Sequence, residues 1–298
     1  MTSSKRIRST GSDLIFNIVA YSLAIIILII IIYPLYYIIV ASLSEPTAVS
    51  NGKVWFFSVG FTFDGYTALL AEKSIWIAYG NTIFYTVAGT AVALVINIPA
   101  AYALSRKDLW GGKILMFYFL IVMFFSGGLV PTYLTIRQFG LYDTRLVLIL
   151  PFCVSIYNIV VARTFFQTSI PQELLDAARI DGCGNLRFFA TIVIPLSKAI
   201  ISVLALWVAV GQWNSFFNAI IYLQSDNLQP LQVVLRRVLI QSIAMGSAGT
   251  GEAVVIAMRK ANLIRYAAII VSTLPIMCFY PFVQKYFNQG VMIGAVKG

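Results

Sequence analysis

The sequence has no histidine and little charge: Asp, Glu, Lys and Arg together make up 11% of its 298 residues. Without imidazole there is no Ser-His-Asp or Cys-His nucleophile, no His-ligated metal and no His-based pH sensor. Cysteine is scarce as well. Cys153, Cys183 and Cys278 stand far apart, with no CxxC pair for zinc or thiol exchange, and they read as small apolar packing residues. The low charge argues against an ordinary soluble domain, in which about a quarter of residues are ionised. Intramembrane carboxylate pairs and metal clusters are also missing, so a membrane-embedded enzyme has little chemistry to work with.

What the sequence does have is apolar length. Hydrophobic residues make up 60% of the chain, and the mean hydropathy is +0.87. A helix needs about 20 mostly apolar residues to cross a ~30 Å hydrocarbon core. Six stretches qualify: Leu14–Ser42, Trp76–Leu104, Ile114–Ile136, Leu146–Ala162, Ser197–Leu223 and Tyr266–Phe282. None carries a charge in its interior. The expected fold is an all-α membrane protein of six transmembrane helices over residues 14–287, with short segments at 1–13 and 288–298. The first stretch follows Lys5, Arg6 and Arg8 as a signal peptide would, but its apolar run is about twice the length of a signal core, so it reads as a helix. Pro34, Pro99, Pro131, Pro151 and Pro275 lie in or beside spans and predict kinks.

The basic residues fix an orientation. With six spans, twelve of the 21 Lys and Arg fall on the side of both termini, among them Arg106, Lys107, Lys113, Arg163, Arg179 and Arg187. Nine fall on the other, and five of these, Arg236, Arg237, Arg259, Lys260 and Arg265, belong to or border one long loop, 224–264. The positive-inside bias places both termini in the cytoplasm and that basic loop outside. It also accounts for the net charge of +10 without nucleic acid.

One polar stretch, "QELLDAARIDGCGNLRFFATIVIP" (Gln172–Pro195), falls on the cytoplasmic side. Ser169 with Gln172 fits a capping box, and Pro171 suits a first turn. Glu173 and Asp176 lie near the positive end of the helix dipole, with Arg179 later. Gly182 is placed to stop the helix in the left-handed conformation. A second short helix is expected from Asn185, ending before Pro195. Ala177 and Ala178 form a small-residue face and Leu174 and Leu175 an apolar one. Such an element suits a groove on another protein, or a position flat on the membrane surface.

The spacing Asp176-Ala177-Ala178, three residues, Gly182, nine residues, Ile192-Val193-Ile194-Pro195 resembles the coupling signature of ABC importer permeases, with Asp for the usual Glu and Ile194 for the usual Leu. "FTFDGYTALL" (Phe61–Leu70) and "GQWNSFFNAIIYL" (Gly211–Leu223) are similar to sugar permeases of the maltose-importer type. The tail "PFVQKYFNQGVMIGAVKG" (Pro281–Gly298) looks like a subgroup handling complex saccharides, including acidic ones such as aldouronates and alginate. The resemblance implies a multi-pass permease of the bacterial inner membrane. It would pair with a second permease subunit, receive saccharide from an extracytoplasmic binding protein and pass it inward by alternating access. Glu173, Asp176, Ala177, Ala178, Gly182, Ile192 and Pro195 would dock on a cytoplasmic ATPase dimer. The chain itself would bind no cofactor. ATP and Mg would sit on the ATPase, since Gly52-Lys53 and Gly112-Lys113 lack the upstream Gly and following Ser/Thr of a phosphate-binding loop.

A neutral pathway needs amides, hydroxyls and aromatics. Trp207, Gly211, Asn214 and Asn218 follow one helical stripe, with Trp213 beside it; Asn81, Asn97 and Asn158 are further candidates. Such residues suit sugar hydroxyls and C–H faces, or equally helix–helix packing. The outer Arg236, Arg237, Arg259, Lys260 and Arg265 suit carboxylate sugars, a binding protein's acidic rim or lipid phosphates. An ion-coupled carrier or channel is the alternative, although the spans lack the acid or histidine that proton coupling generally uses.

Overall fold

The computed structural model describes residues 11–247, 264–278 and 281. Among these residues every regular element is helical and none is a strand. In a bilayer each backbone N–H and C=O must be paired within its own segment, so even isoleucine runs wind into helix. The chain divides into two compact units, Met1–Ala71 with Leu239–Val271 and Glu72–Val238 with Ser272–Gly298.

In the first unit α1 (Gly11–Ser42) runs 32 residues through Pro34, and nearly all its side chains are exposed, as lipid-facing residues are. Two short helices follow, α2 (Pro46–Ser50) and α3 (Asp64–Leu70). The intervening chain is tied back on itself: Glu45 N–H donates to Val59 O (2.9 Å) and Thr62 N–H to Leu43 O (3.1 Å). Val40, Ala48 and Val54 close a small core beneath it.

The second unit is built on α4 (Lys73–Ser105), 33 residues long. α11 (Lys198–Trp213) packs most extensively on it, followed by α7 (Ile156–Ser169). Two further helices, α13 (Leu231–Ser247) and α14 (Ile264–Cys278), divide between the units.

Among the described residues two helices, α1 and α4, are long and apolar enough to span a membrane, and up to four spans result when each of two bent pairs counts as one. The third, fourth and fifth expected spans are therefore not straight rods. The third is split into α5 (Gly112–Phe124) and α6 (Leu129–Gln138), bent by 111°. α5 stops at its C-cap Phe125, whose backbone is extended, and Gly128, at φ +83°, opens α6 as its N-cap. The fourth begins as a 3-10 turn, Arg145–Leu148, runs irregularly over 149–155 around Pro151, and becomes helical only at α7. The fifth ends as α11 at Trp213 and resumes as α12 (Phe217–Tyr222). The expected loop over 224–264 carries a 3-10 turn, Asp226–Leu228, and the 17-residue α13.

Candidate functional site

The polar stretch folds as a helix, a turn and a second helical run. α8 (Gln172–Ile180) follows Pro171, which serves as its N-cap with no side-chain cap bond. The capping box expected from Ser169 does not form, because Ser169 is the last residue of α7. Asp176 instead accepts from Gln172 Nε2 at 3.3 Å. Termination follows the expectation. Gly182 adopts φ +70°, and Cys183 N–H donates to Ala178 O at 2.8 Å.

The helical run that begins with α9 (Asn185–Phe188) does not stop before Pro195. Phe189–Val193 winds as π-helix and leads into α10 (Ile194–Leu196), so Pro195 sits inside the run. A proline lacks the N–H that α-geometry would use, and the wider turn accommodates its ring. The run then bends by 80° into α11.

Burial sorts this element into two faces. Leu175, Ala178, Phe188 and Val193 lie in one core with Ile98, Ala101 and Leu104 of α4, Ile159, Ala162 and Phe166 of α7, and Ile200 and Leu204 of α11. Ala178, expected on the docking face, is only 8% exposed and faces inward. Outward lie Glu173, Leu174, Asp176, Ala177 and Gly182, with Ile180 and Leu186 at 87% and 85% exposure. Ile192 is half-buried and Pro195 exposed.

A charged clasp holds the element, and the motif reading had missed it. Asp108, three residues past α4 in "SRKDLW", accepts from Arg106 Nη2 at 2.5 Å and from Arg179 Nη2 at 2.6 Å. Arg106 also donates to Asn185 Oδ1 at 3.0 Å, and Arg163 Nε to Leu104 O at 2.9 Å. Arg106 above all, and then Arg179, hold the Asp108 carboxyl far below the usual carboxylate range against a smaller opposing effect of burial. An acid beside Arg106 and Lys107 just beyond a span was the available signal.

A second site lies where helices break. A cavity of about 340 Å³ is lined by Phe152, Ser155, Asn158, Trp207, Gly211, Gln212, Ser215 and Asn218, with Leu148 and Val208. It touches the irregular run before α7 and the gap between α11 and α12. The exposed carbonyls of that run are captured by side chains. Asn97 Nδ2 donates to Cys153 O (2.8 Å), and its Oδ1 accepts from Ser155 N–H (3.0 Å). Gln212 Nε2 donates to Leu148 O at 3.2 Å. Irregular backbone at membrane depth survives only with such partners or beside a cavity. Ser215 Oγ is buried there without a hydrogen-bond partner.

Of the expected pathway residues, Trp207, Gly211, Asn218 and Asn158 line this cavity. Trp213 and Asn214 do not. Trp213 donates its indole N–H to Ser272 O (2.9 Å) and meets Tyr79 edge-on, while Asn214 bonds back to Val210 O (2.9 Å). The helical stripe fails there because α11 ends at Trp213. Asn81 lies elsewhere and donates to Asn227 O (2.7 Å). Gln212 and Ser155, off the stripe, were not foreseen.

Among the outer basic residues, Arg236 stacks over Phe216, 4.6 Å from the ring centre, and Arg237 pairs with Asp226 at 2.7 Å. Arg265 is exposed on α14, and Arg259 and Lys260 lie outside the described residues. Arg145 also stacks over Phe84 at 5.3 Å.

Comparison with known proteins gives a consistent match. The model of the binding-protein-dependent transport system inner membrane components matches residues 103–293. Protein LplC of Bacillus subtilis (strain 168) is 39% identical over 267 residues, 90% of each chain. The polygalacturonan/rhamnogalacturonan transport system permease protein YtcP of the same organism is 35% identical over 288 residues, 95% of this chain and 99% of that one. A solved bacterial ABC transporter involved in the import of the acidic polysaccharide alginate has a chain that superposes with a TM-score of 0.85. That pair is 32% identical and covers 95% of this chain and 100% of that one.

Proposed function

The chain belongs to the binding-protein-dependent transport system inner membrane components, and from that premise we propose how its parts divide the work of a sugar importer. It is a permease subunit of an ABC importer, not an enzyme; ATP is hydrolysed by a separate subunit. Six membrane-crossing segments, several of them broken, carry saccharide across the inner membrane, with both termini in the cytoplasm. The α8–α10 element docks on the ATPase dimer, where ATP and Mg reside. A second permease subunit completes the pore, and an extracytoplasmic binding protein delivers the sugar.

The observation that carries this reading is the cavity at the helix breaks. Its amides (Asn158, Gln212, Asn218), its hydroxyls (Ser155, Ser215) and the Trp207 and Phe152 rings offer what a sugar needs and no fixed charge. The cargo is an acidic oligosaccharide. Two relatives are named for polygalacturonan/rhamnogalacturonan and for the acidic polysaccharide alginate. On this chain Arg145 and Arg236 lie over aromatic rings, where a guanidinium can take a carboxylate while the ring covers a sugar face.

Reconstituted vesicles test the reading. Uptake of acidic oligosaccharide is expected only with ATP, the ATPase and the binding protein present; uptake driven by an ion gradient alone would overturn it. For the coupling surface, Ala177→Arg and Gly182→Asp add charge to exposed positions, and each is expected to abolish substrate-stimulated ATP hydrolysis while the permease stays in the membrane. Ala178→Arg is a poorer probe, since that site is buried.

A further inference from the structure

The helix that docks and the helix that moves need a joint between them, and the packing at this point is open. A cavity of about 420 Å³, lined in part by Tyr102, Arg106, Asp108 and Asn185, lies on one side of Arg106. Another, of about 170 Å³, between Tyr102, Arg106, Pro171 and Gln172, lies on the other. The close packing of Ala101 and Leu104 on Leu175 and Phe188 is therefore not continued around Arg106. Beneath it the apolar contact through Leu175 and Phe188 holds the element on, but the hydrophobic effect itself is non-directional.

Polar contacts supply the direction. Arg106 donates through Nε to Asp108 Oδ1 at 2.8 Å and through Nη2 to Oδ2 at 2.5 Å, a two-point fork. The same Oδ2 receives Arg179 of α8, and the free arm of Arg106 reaches Asn185 of α9. The Arg106 side chain is only 12% exposed and lies over the Tyr102 ring, its guanidinium carbon 5.9 Å from the centre. One carboxylate thus ties both helices of the element to the end of α4, whose other contacts, α7 and α11, frame the central cavity.

We propose that Asp108 is a positioning residue that carries movement of the α8–α10 element into α4. The proposal rests on the reading of that element as the ATPase-docking surface. Asp108 lies outside the exposed docking face, so an importer lacking the clasp still assembles and hydrolyses ATP, but moves less sugar for each ATP.

The test uses the complete importer (both permeases, the ATPase and the binding protein) in vesicles, measuring sugar imported per ATP hydrolysed. Asp108→Asn is expected to lower that ratio roughly two- to fivefold, the scale of a partly exposed ion pair. Basal ATP hydrolysis and co-purification of the ATPase stay at the wild-type level. Asp108→Glu restores most of the ratio. Arg179→Gln, at a side chain 46% exposed, reproduces the loss if Asp108→Asn does not assemble, and the double variant is no worse than either single one. A wild-type ratio in both single variants, no recovery with Asp108→Glu, or additive losses would each overturn the proposal. Ala177→Arg separates the two ideas. If it abolishes stimulated hydrolysis while Asp108→Asn changes nothing, the clasp fails and the docking surface stands. If it leaves stimulation intact, the docking surface itself is wrong.

Discussion

Asp143 is the one non-glycine residue with positive φ, 55°, among the described residues, and its side chain explains why. Its carboxylate accepts from Gln224 N–H and Ser225 N–H, each at 2.8 Å, and from Ser225 Oγ at 2.5 Å. Those bonds, the Ser225 hydroxyl first, hold the carboxyl below its ordinary pKa. Asp143→Ala leaves two backbone donors unpaired and puts a Cβ-bearing apolar residue in left-handed backbone, at about 1–3 kcal/mol. Asn tolerates that backbone and keeps an acceptor, so Asp143→Asn is expected to lower the melting temperature of the purified permease distinctly less. The pH sign follows from the depressed pKa. The contribution is complete above the unfolded value near 3.9 and fades as pH falls below it. With no histidine in the chain, the melting temperature is expected to be flat between about pH 5 and 7. At this scale the sequence was legible where one residue type answers one backbone need, as Gly182 does. Ala177 and Ala178 differ only in the face they present, and composition does not assign the face.

Helix breaks border the polar cavity of this bundle, and they were the hardest elements to read. Apolar length marked stretches that prove helical, because the bilayer rewards any apolar helix of sufficient length. It could not separate a straight helix from one interrupted by Pro151 or ended at Trp213, since the residues that hold the interruption are distant in sequence. Asn97 and Gln212 fasten 148–155 from two other helices. Gln212 is itself wedged against α4: a Cβ on Gly89 would stand 2.8 Å from its Nε2, 2.9 Å from Cδ and 3.1 Å from Cγ. The whole amide would have to move, not just its tip. Gly89→Ala is therefore expected to destabilise by about 1–3 kcal/mol, as overpacking does, and to weaken sugar binding by drawing Gln212 off the cavity wall. Combining it with Gln212→Ser is expected to recover the melting temperature but not transport. Full transport by Gly89→Ala would show that Gln212 does not shape the cavity.

At the scale of the whole molecule, α4 serves as a ruler. Its 33 residues span about 50 Å at 1.5 Å per residue, well beyond a ~30 Å hydrocarbon core, so in the proposed topology its two ends emerge on opposite sides. Each end is fastened by a different set of bonds. Near the start, Asn81 donates to Asn227 O and Gln229 O, Tyr85 Oη donates to Leu228 O at 2.8 Å, and Thr82 Oγ1 accepts from Leu231 N–H at 2.7 Å. About 35 Å further along, by the same rise, come Leu104 and the Arg106–Asp108 clasp. A helix pinned at both faces transmits a push from one to the other, which alternating access requires. It also makes the proposed orientation measurable. Lys73 and Lys107 are both exposed and flank the two ends. A membrane-impermeant amine reagent applied to intact cells is expected to modify Lys73 and spare Lys107, with both modified once the membrane is opened. The reverse pattern would turn the chain over, place the α8–α10 element outside, and leave it no ATPase to meet.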